Sequence, residues 1–270
     1  MNKYVCTTCG TQYPKSREEP ERCPICEEER QYVNPDGQSF TTLDEMIRSG
    51  VYQNTILQEE PGLYSITTTP KFGIGQTAYL ITNGGYNVLW DCVTYLDEAT
   101  ILAIQELGGI DAIAISHPHY YSAQLEWAER FDAPIYLHGD DRDWVMEQGE
   151  RIEFWEGEEL TLREGISLHR LGGHFKGGAV LHWCQGGILL TGDIIQVVAD
   201  TDWVSFMYSY PNLIPLPADK VKEMAEKVKP LSFHKLYNAF HRVVEKDADQ
   251  AVQRSAERYI NALEGKLFST

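Results

Sequence analysis

Two groups of residues in this 270-residue chain have types and spacings that do chemistry. Cys6-Thr7-Thr8-Cys9 and Cys23-Pro24-Ile25-Cys26 each place two thiols two residues apart, the spacing that lets one tight turn present both sulfurs to a tetrahedral ion. Thirteen residues separate the pairs, enough for a small hairpin, and Gly10 and Pro24 suit the sharp turns. The expected site is a structural one, because four sulfurs leave no position open for a substrate; its ion is zinc or iron. Disulfides are the competing reading, disfavoured in a chain without a hydrophobic leading segment. The second group is His117, His119, His174 and Asp193, three imidazoles and a carboxylate that form a suitable ligand set for zinc or another divalent ion.

The elements that must position these residues are legible as short apolar runs bounded by Gly, Pro, Asn or Asp. Ala112 to Ile115 reads as a buried, parallel strand that ends at Ser116 and His117-Pro118-His119, where residues i and i+2 of an extended segment point the same way. Ser167 to Leu171 runs into Gly172-Gly173-His174, and Ile188 to Leu190 into Thr191-Gly192-Asp193. Further strands are expected at 63–67, 77–82, 87–90, 135–138 and 180–183. Helices are expected at 98–107, ended by Gly108-Gly109, at 123–131 with Ser122 as its cap, before Pro230, and from Ala248 toward Gly265. The order of elements predicts an α+β protein, with residues 1–50 as a metal-held segment and linker and 51–270 as the main domain. The first thirty residues are too polar to fold on burial alone.

His117-x-His119, Gly173-His174 and Thr191-Gly192-Asp193, with Asn83 to Asp91 upstream, resemble the metallo-β-lactamase-fold superfamily, whose glyoxalase II branch hydrolyses thioesters. The cysteine quartet resembles a zinc ribbon, a relative of the rubredoxin-like iron knuckle. The first resemblance covers roughly residues 62–260 and implies a four-layer αββα sandwich with the metal at the sheet edges. It makes His117, His119, His174 and Asp193 the metal ligands, and it implies hydrolysis of an ester, thioester or similar acyl substrate by a metal-activated water. The chain departs from the pattern where Tyr121 and Ser122 replace the aspartate and histidine of a second metal, so a single ion is expected. Tyr121 cannot act as a base, since a phenol with a pKa near ~10 is protonated at neutral pH. It is left as an oxyanion donor, a metal ligand or a packed ring. His241, in Phe240-His241-Arg242, stands where the pattern has a late Gly-His-Gly and is the third candidate catalytic residue beside Asp193 and Tyr121.

A net charge of −17 opposes phosphate backbones and anionic lipid, so neither nucleic acid nor membrane is an expected partner, and a nuclease is disfavoured. The chain has no apolar run long enough to span a bilayer, and a cytoplasmic location is expected. The expected partner is a small acyl substrate; oligomeric state is left open. The rival function is a catalytically retired member whose pocket binds a ligand or partner. The aromatic stretch Trp203 to Pro211 is read as a pocket wall, a subunit contact or core, and Cys92 and Cys184 as small buried residues.

Overall fold

A computed structural model describes residues 1–268, which fall into two units. The first unit comprises Met1–Leu137 and Asp141–Phe154. Its centre is a seven-stranded sheet in the order Gln53–Glu60, Leu63–Thr69, Ala78–Asn83, Tyr86–Trp90, Ala112–Ala114, Ile135–His138 and Ile152–Trp155. The first four strands pair antiparallel in chain order, while Tyr86–Trp90, Ala112–Ala114 and Ile135–His138 run parallel. The parallel steps require crossovers, and helices Glu98–Glu106 and Gln124–Phe131 supply them. Burial on both faces explains the unbroken apolar runs: Val88, Leu89, Trp90, Ala112, Ile113 and Ala114 have no exposed surface. Asp97 starts the first crossover helix by accepting a hydrogen bond from the Thr100 amide.

The cysteine-bearing segment lies within this unit. Tyr4–Cys6 pairs antiparallel with Phe40–Thr42, and Thr42 and Glu45 form a reciprocal capping box for the helix Leu43–Ser49. The linker, in which Thr42 to Arg48 reads as helical from sequence, thus contains that helix, capped, and a strand besides. The helix expected from Ala123 starts at Gln124, with Ala123 at its cap position and no side-chain bond there. Ser122 is therefore not a helix cap. Its backbone is left-handed (φ 44°), and its hydroxyl is used by Gln76 instead.

The second unit comprises His138–Asp140 and the chain from Trp155 onward. A six-stranded sheet runs in the order Glu159–Arg163, Ile166–Arg170, Ala179–Trp183, Ile188–Leu190, Lys235–Tyr237 and Val243–Val244. Only the pairing of Ile188–Leu190 with Lys235–Tyr237 is parallel, and the helix Ala218–Val228 lies in that crossover. This helix and Ala248–Leu263 bury Val221, Met224, Val228, Ala251 and Val252 in one core with Leu189, Leu236 and Phe206. Phe206 has no exposed surface, so the aromatic stretch is in part core; removing a buried ring of this size costs about 3–5 kcal/mol. Cys92 is buried as expected, whereas Cys184 is exposed, because it lies in the turn after Ala179–Trp183 rather than in the strand. The α+β class is thus met by two sheets, each in a unit with its own helices.

Candidate metal centres

The cysteine quartet closes as the spacing predicts. The Gly10 amide donates to the Cys6 carbonyl in the first turn, and the amides of Cys26 and Glu27 donate to the Cys23 carbonyl in the second. Gly10 needs its left-handed backbone (φ 84°) to let the chain reverse there. Cys6 and Cys26 sulfurs lie 3.6 Å apart and those of Cys9 and Cys23 lie 3.5 Å apart. A tetrahedral ion with bonds of about 2.3 Å to sulfur needs sulfurs roughly 3.8 Å apart, whereas a disulfide needs about 2.05 Å. All four are free thiols, so the disulfide reading fails. Burial and neighbouring thiolates push the Cys9 thiol up, and hydrogen bonds with Cys23 and Cys6 push Cys26 up, while hydrogen bonds from the other cysteines hold Cys6 down. Four buried thiolates cannot coexist without a cation, and the donor set suits zinc or iron.

The first histidine pair sits just past the strand Ala112–Ala114. His117 is extended (φ −170°, ψ 169°), but Pro118–Tyr120 form a single tight helical turn. The rings of His117 and His119 therefore converge, at 5.0 Å between centroids, through that turn rather than through strand alternation. His117 is held by a chain of hydrogen bonds that fixes its tautomer. Asp91 Oδ1 accepts from the Ser116 amide (2.7 Å) and from Ser116 Oγ (2.8 Å). With its proton given to Asp91, Ser116 Oγ accepts from His117 Nδ1–H at 2.8 Å, which leaves the lone pair on Nε2. Asp91 is 1% exposed and sits in left-handed backbone (φ 60°) at the end of Tyr86–Trp90.

The second pair follows the same logic. His174 lies after Gly172 and Gly173, both at positive φ, and its Nδ1 is 2.8 Å from the Tyr208 carbonyl. A carbonyl only accepts, so Nδ1 carries the proton and Nε2 again keeps its lone pair. Asp193 lies within the turn that the Ile194 amide closes on the Thr191 carbonyl, and the Tyr210 hydroxyl donates to the Asp193 carbonyl at 3.0 Å. The Tyr210 and His174 rings are 5.7 Å apart. His117 and His119 in the first unit, and His174 and Asp193 in the second, are all buried residues of metal-ligating type.

Neither of the two other candidate site residues belongs to that group. Tyr121 is 3% exposed, and its hydroxyl donates to the Asp141 carbonyl at a long 3.5 Å. Burial, and secondarily Asp141, pushes its phenol well up, which keeps it protonated. His241 is exposed in left-handed backbone (φ 53°). Sequence reasoning missed the partners that aim the histidines: Asp91, Ser116, the Tyr208 carbonyl and the Tyr210 hydroxyl. Ser116 abutting His117, and an aspartate closing an apolar strand, were the readable signals; a backbone carbonyl leaves none.

A family model described as the metallo-beta-lactamase superfamily matches residues 73–260. A Bacillus subtilis (strain 168) protein, the uncharacterized protein YmaE, is 62% identical over 274 aligned residues, covering 100% of both chains. Among solved structures, the DIM-1 metallo-beta-lactamase is similar with a TM-score of 0.60 at 13% identity, over 78% of this chain and 98% of its own. The chemotaxis sensor ODP, described as a peroxy diiron species, is similar with a TM-score of 0.53 at 22% identity, over 79% of this chain and 94% of its own. These likenesses establish the fold, and no helix among the described residues is long and apolar enough to cross a membrane.

Proposed function

Because the chain belongs to the metallo-β-lactamase superfamily, we propose that it is a metal-dependent hydrolase acting on an ester, thioester or related acyl substrate, with one ion held by His117, His119, His174 and Asp193. The observation that carries the reading is the hydrogen-bond partner at Nδ1 of two of the histidines. Ser116 and the Tyr208 carbonyl each take the Nδ1 proton, so His117 and His174 are held as neutral ligands with Nε2 presented. Three imidazoles and a carboxylate fit a divalent ion. When bound, such an ion polarises a carbonyl oxygen and brings the pKa of a water to about 7.

The chain's own residues hold and orient. Asp91 and Ser116 fix the His117 ring, and Tyr210 pins the backbone of Asp193. Tyr121 stays protonated and takes no proton from water; its contribution is position. His241, exposed to solvent, is the remaining side chain proposed to meet substrate. A single ion is favoured because the Ser122 hydroxyl is used by Gln76 and the Tyr121 hydroxyl lies against Asp141. With a net charge of −17, a nucleic-acid substrate is disfavoured.

A panel of aryl esters and thioesters tests this, with protein as purified, chelator-stripped, and reloaded with zinc or with iron. Metal-dependent turnover is expected. Equal turnover by stripped protein refutes the role of the ion. A second reading, an inactive member whose pocket binds a ligand, draws on Tyr121 and Ser122 being committed to other contacts. Loaded protein that turns over nothing, yet is stabilised by acyl compounds, favours it.

A further inference from the structure

The Cys6–Cys9 turn is built into the loops that aim His117. Gly10 packs so closely that a Cβ added there would lie 2.1 Å from Thr94 Oγ1 and 3.7 Å from Ser122 Oγ. Thr94 Oγ1 donates to the Gly10 carbonyl at 3.2 Å, and the Gln12 amide donates to the Ser122 carbonyl at 3.1 Å. On another side, a Cβ on Gly73 would come within 3.2 Å of the backbone of Cys9 and Gly10. Buried Gln76 then ties the receiving loops together. Its Nε2 donates to the Cys92 carbonyl (2.6 Å) and to Ser122 Oγ (2.9 Å).

These contacts fall on two particular loops. Cys92 to Thr94 directly follow Asp91, and Ser122 comes three residues after His119. Both loops flank the Asp91–Ser116–His117 chain of hydrogen bonds. Ser122 is also a non-glycine residue in left-handed backbone (φ 44°), a conformation that persists only where its surroundings over-determine it. The cysteine segment supplies part of that constraint, and its own core is small: among the described residues Tyr13 and Ile25 are buried with the four cysteines, and Phe40, Ile74, Trp144 and Met146 pack partly buried against them.

We propose that the four-cysteine segment is a positioning element for the histidine loop. The ion at Cys6, Cys9, Cys23 and Cys26 sets Gly10 and Gln12 against Thr94 and Ser122, and so sets the loops that present His117 and His119. The two sites are therefore coupled, and the coupling is reciprocal in affinity. This rests on the ligand reading above for the histidine site, but its test does not.

The test uses the full chain with zinc as the probe. Thr94→Ala removes the hydroxyl that grips Gly10 and adds no atoms; Thr94→Ser restores it. The expected result for Thr94→Ala is one cysteine-bound zinc per chain, about 10-fold faster amide exchange across residues 117–123, and about 10-fold weaker zinc at the histidine site, the size of effect that displaced supporting contacts have on a metal. Exchange in the strands Leu63–Thr69 and Ala78–Asn83 stays unchanged, and Thr94→Ser recovers the wild-type values. Removing the cysteine-bound ion alone speeds exchange across 117–123 as well. Unchanged exchange there after both perturbations overturns the proposal. Absence of zinc from the wild-type histidine site refutes the ligand reading instead, and the exchange measurement still decides this one.

Discussion

Ser116→Ala isolates the hydrogen-bond chain that aims His117. The substitution removes one oxygen, which accepts from His117 Nδ1 and donates to Asp91 Oδ1. Asp91 keeps the Ser116 amide, so the loop retains its backbone anchor. His117 is 1% exposed, so no bulk water takes over the role. Leaving a buried donor without this partner costs about 1–3 kcal/mol, and with ~1.4 kcal/mol per tenfold the upper part of that range exceeds a hundredfold. Part of the cost is relieved when the free ring switches tautomer, and that is the damaging outcome, since the proton then moves to the nitrogen that must bind metal. We expect the histidine-site ion to bind about 10–100-fold more weakly, while one cysteine-bound ion per chain is retained. Competition against a coloured chelator on the full-length protein measures both. An affinity within about twofold of wild type would refute the assignment of Nε2 as the ligand atom, because that assignment depends on the serine taking the Nδ1 proton.

Two further outcomes are expected. Tyr210→Phe removes the bond to the Asp193 carbonyl; at about 0.5–1.5 kcal/mol for one such bond, the same competition assay should show a several-fold loss of histidine-site affinity with the cysteine-bound ion unaffected. Burial, with Asp91 next, pushes the Cys92 thiol well above its ordinary value, so its neutral form is favoured by folding. A raised folded pKa contributes stability that is fully present below the unfolded value of about 8.5 and is lost as pH rises above it. Urea unfolding from pH 7.5 to 10.5 should therefore show wild-type stability falling more steeply than that of Cys92→Ala; parallel curves would show that Cys92 does not carry this dependence.

The site was legible where chemistry needs particular side chains at fixed spacing. The two cysteine turns, His117-Pro118-His119, Gly173-His174 and Gly192-Asp193 all lie at the ends of runs that became strands or tight turns. Strands buried on both faces, such as Ala112–Ala114, were legible for the same reason: burial demands an unbroken apolar run. The long strand Gln53–Glu60 was not, because it lies at the sheet edge with Gln53 and Gln58 exposed and Asn54, Glu59 and Glu60 half-buried, so no buried apolar run marks it. Ser122 was misread as a helix cap because a serine before a helix has the same local signature whether its hydroxyl meets the helix amides or, as here, Gln76. The partners of the histidines were only half legible. Ser116 and Asp91 are side chains whose pairing spans two strands, and the partner of His174 is a carbonyl that any residue at position 208 would provide.

The central claim is that one chain carries two distinct sets of metal ligands. Metal content per chain, by elemental analysis for zinc and iron, tests it most directly on the wild type, on Cys6→Ser/Cys9→Ser and on His117→Ala/His119→Ala. The account predicts two ions in the wild type, with each variant losing the ion of its own site. A wild type that holds only the cysteine-dependent ion, after purification with zinc and iron supplied, would contradict the metal-dependent hydrolase reading.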